Sequence, residues 1–182
     1  MSKGKKTTRT PRRKGTGRAN SGTGNDKALR EHLAKVLTWG EAHADWKQAL
    51  EGLDPSERGI RPAGSPYSAW ELLEHARISQ EDILDFSTNP HYVQRDWPAE
   101  YWPKTVAPPD NATWEKSVKE FAKDTQAMMK LIEDPRTDLF VKIAHGTGQT
   151  ILRQALLLAD HNAYHLGQFV LVRRLLGTWG KS

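Results

Sequence analysis

His161 and His165 stand four residues apart in the segment ALLLADHNAYHLGQFVLVRR. Placed at helical intervals of about 100° per residue, Leu157, Leu158, His161, His165, Phe169, Val172 and Leu176 share one broad stripe, so both imidazoles face a core. A rise of about 1.5 Å per residue separates them by about 6 Å along the axis, close enough for both to aim a ring nitrogen at one ion. Two buried imidazoles carry four ring nitrogens, and each polar group left unpaired in a dry interior costs about 1 to 3 kcal/mol. A divalent cation answers half of that demand, and ordinary core hydrogen bonds are the competing answer. Gln154 and Gln168 fall on the same stripe and give such a site polar walls.

A third ligand has to come from another helix. His75, in SAWELLEHARISQEDIL, lies at the edge of the face formed by Leu72, Leu73, Ala76 and Ile83, where it either looks into the bundle or pairs with Glu71 or Asp82. Three histidines on two facing helices leave a coordination position for an exchangeable ligand, the arrangement of a catalytic site. Neutral imidazoles preserve the full charge of the ion, which lowers the pKa of a bound water or thiol. Hydrolysis and thiol transfer share that step. The ligand type favours zinc, and nickel, manganese, iron or cobalt also accept it. For a proton acceptor or substrate-orienting group, the candidates are His43, Asp82, His145, Gln154 and Gln168, with Tyr164 and Arg173 as pocket residues, unless Arg173 is an exposed side chain that merely complements the dipole at its helix C-terminus. Trp97, Tyr101 and Trp102 either wall a pocket or pack over the bundle.

Helices must position these groups. The apolar spacing predicts helices over 27–51, 68–87, 112–133 and 149–176. Asn25 or Asp26 is the expected cap of the first, and Ser68 with Glu71 forms a capping box for the second. Asn89-Pro90, Asp134-Pro135 and Gly177 supply stops. Residues 52–66 read as a loop rich in Gly and Pro, and 91–110 as an ordered aromatic crossover. The stretch 139–143 is extended in pattern and too short for a sheet. Four long helices without convincing strands give an all-α four-helix bundle.

The 182 residues, 37% hydrophobic and with 7 Trp, suffice for one domain with a real core. The absence of cysteine excludes disulfides, thiolate nucleophiles and Cys-ligated metals. The net charge of +5 is uneven: residues 1–25 hold eight Lys and Arg and no acid, so 26–182 is net negative. Residues 1–25 therefore read as a disordered basic tail, either a polycation for nucleic acid or a solubilising extension. The sequence shows no signal-peptide core or membrane-spanning run, so a cytoplasmic protein without membrane contact is expected.

The segments SAWELLEHARISQEDILDF, DWPAEYWP, HGTGQT and ADHNAYHLGQFVLVRRLLG together resemble the DinB/YfiT-like superfamily in consistent order over residues 27–182. The resemblance implies a four-helix bundle in which one His of the second helix and the His-x-x-x-His pair of the last bind a divalent metal. Matched by motif, these are His75, His161 and His165. It further implies a metal-dependent hydrolase or a low-molecular-weight-thiol S-transferase, a small-molecule substrate, and a homodimer. A bundle merely stapled by its metal, or a protein acting on nucleic acid through the tail, are the rival readings.

Overall fold

The computed structural model describes Met1 and residues 21–180. Among these, the chain forms α1 (Ser21–Val36), α2 (Trp46–Leu50), a 3-10 turn (Pro55–Glu57), α3 (Ala69–Thr88), α4 (Asn111–Glu133) and α5 (Ile151–Leu175). α1, α3, α4 and α5 make the bundle: α3 packs against α4 and α5, and α1 against the same two helices. The fold is all-helical, as the spacing requires.

Side-chain caps start α3, α4 and α5. Ser68, Asp110 and Thr150 accept hydrogen bonds from the backbone N–H groups of Glu71, Thr113 and Arg153, which relieves donors that the first turn leaves unpaired. The Ser68–Glu71 capping box is reciprocal. Asn89 and Asp134 end α3 and α4 ahead of their prolines. Gly177, at φ +68°, follows α5 in a left-handed conformation that only glycine adopts without steric cost.

Two expectations need correction. The helix expected over 27–51 is two helices, α1 and α2, separated by an irregular segment. Asp45 accepts from Gln48 N–H while the Gln48 side chain accepts from Asp45 N–H, a capping box that begins a new helix where the apolar spacing suggested continuation. The spacing misled because Leu33 and Leu37 join one core cluster while Trp46 and Ala49 join another. The boundary of the basic tail also moves. α1 begins at Ser21, upstream of the expected caps Asn25 and Asp26, since elongating a formed helix adds a hydrogen bond for each residue fixed. The rest of the expected tail, residues 2–20, lies outside the described residues.

A polar layer divides the core. Gln80 is fully buried; its amide donates to the Phe121 carbonyl at 2.6 Å, and its oxygen accepts from Asn162 Nδ2 at 2.9 Å and Thr125 Oγ1 at 3.0 Å. Each of these three residues stands between an apolar residue of one cluster and one of the other on its helix: Ala76 and Ile83, Phe121 and Met128, Leu158 and Leu166. The layer sets the register of α3, α4 and α5 because a slip by one turn would leave a buried amide unpaired.

Arg173, a pocket candidate in the sequence, is instead a buried structural cation. Its guanidinium donates to the carbonyls of Ala49 and Glu51 at 2.7 Å and of Thr178 at 2.8 Å, which caps the C-terminal end of α2. Arg173→Met should lower unfolding free energy by about 2 to 4 kcal/mol, because it strands several buried carbonyls. Urea denaturation measures the loss, and metal content should stay at the wild-type level.

Candidate metal centre

α3 delivers His75, and α5, packed against it, delivers His161 and His165 one turn apart. His75 and His165 are buried and His161 is half-buried. His75 Nε2 lies 3.1 Å from His165 Nε2 and 3.3 Å from His161 Nε2. The three rings form the one group of three or more potential metal-ligating side chains among the described residues.

The outer nitrogens decide what those contacts are. His75 Nδ1 donates to the Tyr101 main-chain carbonyl at 2.7 Å. A carbonyl only accepts, so Nδ1 carries the proton and Nε2 presents a lone pair. His165 Nδ1 donates to Gln168 Oε1 at 2.8 Å, with the same result at its Nε2. Two lone pairs facing each other at 3.1 Å repel; neither can donate. A cation between them converts the repulsion into two bonds. Nitrogens at tetrahedral positions around zinc, with Zn–N of about 2.0 to 2.1 Å, stand about 3.3 Å apart, close to the spacings found here. The donor set therefore fits a divalent ion. His161 Nδ1 is buried without a hydrogen-bond partner of good geometry, although the Asn162 side chain beside it favours the protonated ring.

Electrostatics keep the set neutral. Burial pushes His161 and His165 down to about 4, helped by the neighbouring imidazoles. Burial also lowers His75, partly opposed by the hydrogen bond to the Tyr101 carbonyl. Neutral imidazoles are the form that binds metals. One wall of the cluster is aromatic: Trp102 stacks on His75 with centroids 3.8 Å apart and planes 4° from parallel, and Tyr67 stacks on Trp102 at 4.4 Å. Tyr164, largely exposed, meets the edge of His165 at 5.0 Å.

The family model of the DinB superfamily matches residues 38–169, a span that contains all three histidines and most of the bundle. The chain belongs to the DinB superfamily. No curated protein and no solved structure matches it. The three-histidine cluster and the helical architecture together fit a metal-binding DinB-superfamily protein.

Of the five candidates for a proton acceptor or substrate-orienting group, the structure places only Gln168 beside the cluster. His43 is exposed and its Nδ1 contacts the Ala44 carbonyl at 2.8 Å. His145 Nε2 meets the Phe86 carbonyl at 2.9 Å, which pins the HGTGQT turn to the end of α3. Gln154 is buried two turns before His161 and accepts from Arg153. Asp82 accepts from the phenols of Tyr101 at 2.7 Å and Tyr92 at 3.0 Å, so its oxygens are engaged away from the histidines. Burial and Asp82 push Tyr92 up to about 12 and raise Tyr101 as well. A groove of about 900 Å³ between α2, α4 and α5 includes His43 and Trp46 but none of the three clustered histidines. Sequence reasoning offered Tyr101 and Trp102 as pocket walls or packing groups but did not find that the Tyr101 carbonyl and the Trp102 ring both engage His75. Their only signal was the density of aromatics in DWPAEYWP.

The pKa directions set a pH dependence for the metal-free protein. Unfolded imidazoles titrate near 6.5 and the folded His161 and His165 near 4, so the unfolded chain binds more protons between those values. Stability should fall as pH drops from about 6.5 to about 4. Melting temperatures across that window check this, and a His161→Leu/His165→Leu variant should show a flatter profile.

Proposed function

We propose that this DinB-superfamily chain is a metal-dependent enzyme that holds one divalent cation, zinc in first place, on His75, His161 and His165. The observation that carries this reading is the inward convergence of the three Nε2 atoms, two of them lacking protons because their Nδ1 atoms are committed elsewhere. When bound, such a cation supplies Lewis-acid activation of a water or a thiol. That chemistry supports a hydrolase or a low-molecular-weight-thiol S-transferase acting on a small molecule.

The chain's own groups have definable tasks in this scheme. Gln168 and the Tyr101 carbonyl orient two ligand rings. Trp102 covers one face of His75 and limits water there. Tyr164, exposed at the edge of His165, is placed to meet substrate from the solvent side. A non-catalytic metal staple is the second reading. It draws support from the position of the large groove, whose lining excludes the three clustered histidines.

Elemental analysis of purified protein should give one divalent metal per chain, and His161→Ala or His165→Ala should reduce it to a small fraction. Apo and metal-loaded protein should then differ in turnover on ester, amide and electrophile-plus-thiol panels. A metal that raises the melting temperature without any turnover favours the staple. Full occupancy in His161→Ala places the metal elsewhere.

A further inference from the structure

The crossover over 89–110 contains no helix or strand, yet its Tyr101 carbonyl holds a ligand ring at 2.7 Å. Something other than regular backbone pairing must keep that oxygen in place. One end of the segment is seated against the start of α3 and the loop before it, where Ser68 Oγ donates to the Val106 carbonyl at 2.6 Å and a Cβ on Gly59 would come within 2.3 Å of Ala107 Cβ. Nearer the histidines, the anchor is Asp82. It receives the Tyr101 phenol at 2.7 Å and the Tyr92 phenol at 3.0 Å, with Arg95 Nε at 3.7 Å.

Asp82 and His75 are seven residues apart on α3, about 10 Å along the axis. Tyr101 bridges them as a strut: its phenol reaches Asp82 and its main-chain oxygen reaches His75. We propose that Asp82 is a positioning residue for the histidine cluster, acting through Tyr101 to fix the carbonyl that sets the tautomer and orientation of His75. This rests on the metal-centre reading for its effect on affinity, whereas the orientation of His75 exists without any metal. A charged acceptor shared by two phenols makes stronger hydrogen bonds than a neutral one, so Asp82 fixes the Tyr101 end of the segment, next to the Trp102 stack on His75. Groups that orient metal-ligating histidines commonly contribute 10- to 100-fold in metal affinity. Asp82 acts one bond further out, so about 10-fold is expected.

The test uses four full-length variants: Asp82→Ala, Tyr101→Phe, their double, and Tyr92→Phe. Zinc affinity by chelator competition should fall about 10-fold in each of the first two, and the double should fall no further, because both remove one strut. Tyr92→Phe loses a phenol from Asp82 but carries no carbonyl to His75, so it should stay within about twofold of wild type. In the metal-free protein, the Nδ1–H resonance of ¹⁵N-labelled His75 should be protected from exchange in wild type and Tyr92→Phe. It should be lost in Asp82→Ala and Tyr101→Phe. Retention of that resonance in both variants overturns the proposal, as does an additive double or an equal loss in Tyr92→Phe. If wild type binds no zinc, the metal reading fails by itself and the resonance alone decides the role of Asp82.

Discussion

Three imidazole nitrogens brought to 3.1 and 3.3 Å in a mostly dry site would separate if nothing held them there. The surrounding structure supplies the constraint. α3 and α5 are fixed in register by the Gln80–Asn162–Thr125 layer, whose buried amides would lose partners if either helix slid. Asn162 follows His161 directly, so the polar layer and the histidine cluster share one stretch of α5. Local repulsion among lone pairs is offset by packing on either side of that layer. The same repulsion gives the site its preference for a cation.

Chemistry and fold are linked through the tautomers. Each buried imidazole has two nitrogens to satisfy, and the protein assigns them different tasks. For His75 and His165, Nδ1 is spent on an acceptor outside the cluster, which leaves Nε2 free to accept. The loss of solvation that drives their pKa values down also keeps them in the neutral, ligating form. Burial costs metal-free stability below neutral pH and gives metal-binding capacity at neutral pH. Both follow from one placement of the rings.

Much of this was legible in the residue pattern. Ser68 with Glu71, and the prolines after Asn89 and Asp134, marked helix ends because caps and breakers act within a few residues of where they stand. His161 and His165 were readable because helical spacing alone puts them on one face. Gln168 was readable for the same reason, three residues from His165. The break between α1 and α2 was missed, since two helices feeding adjacent core clusters mimic one continuous stripe, and the Asp45–Gln48 capping box was the overlooked signal. The partners of Asp82, namely Tyr92, Arg95 and Tyr101, are not legible in the sequence because they lie in an irregular segment whose path no periodicity predicts. The role of Arg173 is hidden for a similar reason, since two of its carbonyl partners belong to the C-terminal end of α2, far away in sequence.

The central claim is that His75, His161 and His165 bind one ion together, and X-ray absorption at the metal edge of zinc-loaded protein addresses it most directly. The account predicts three nitrogen scatterers at about 2.0 to 2.1 Å with the outer-shell pattern of imidazole, plus one light exchangeable ligand. Substituting any one of the three histidines should remove an imidazole from the fit or abolish the bound metal. A spectrum with fewer than three imidazoles, or one unchanged by loss of His75, would contradict it.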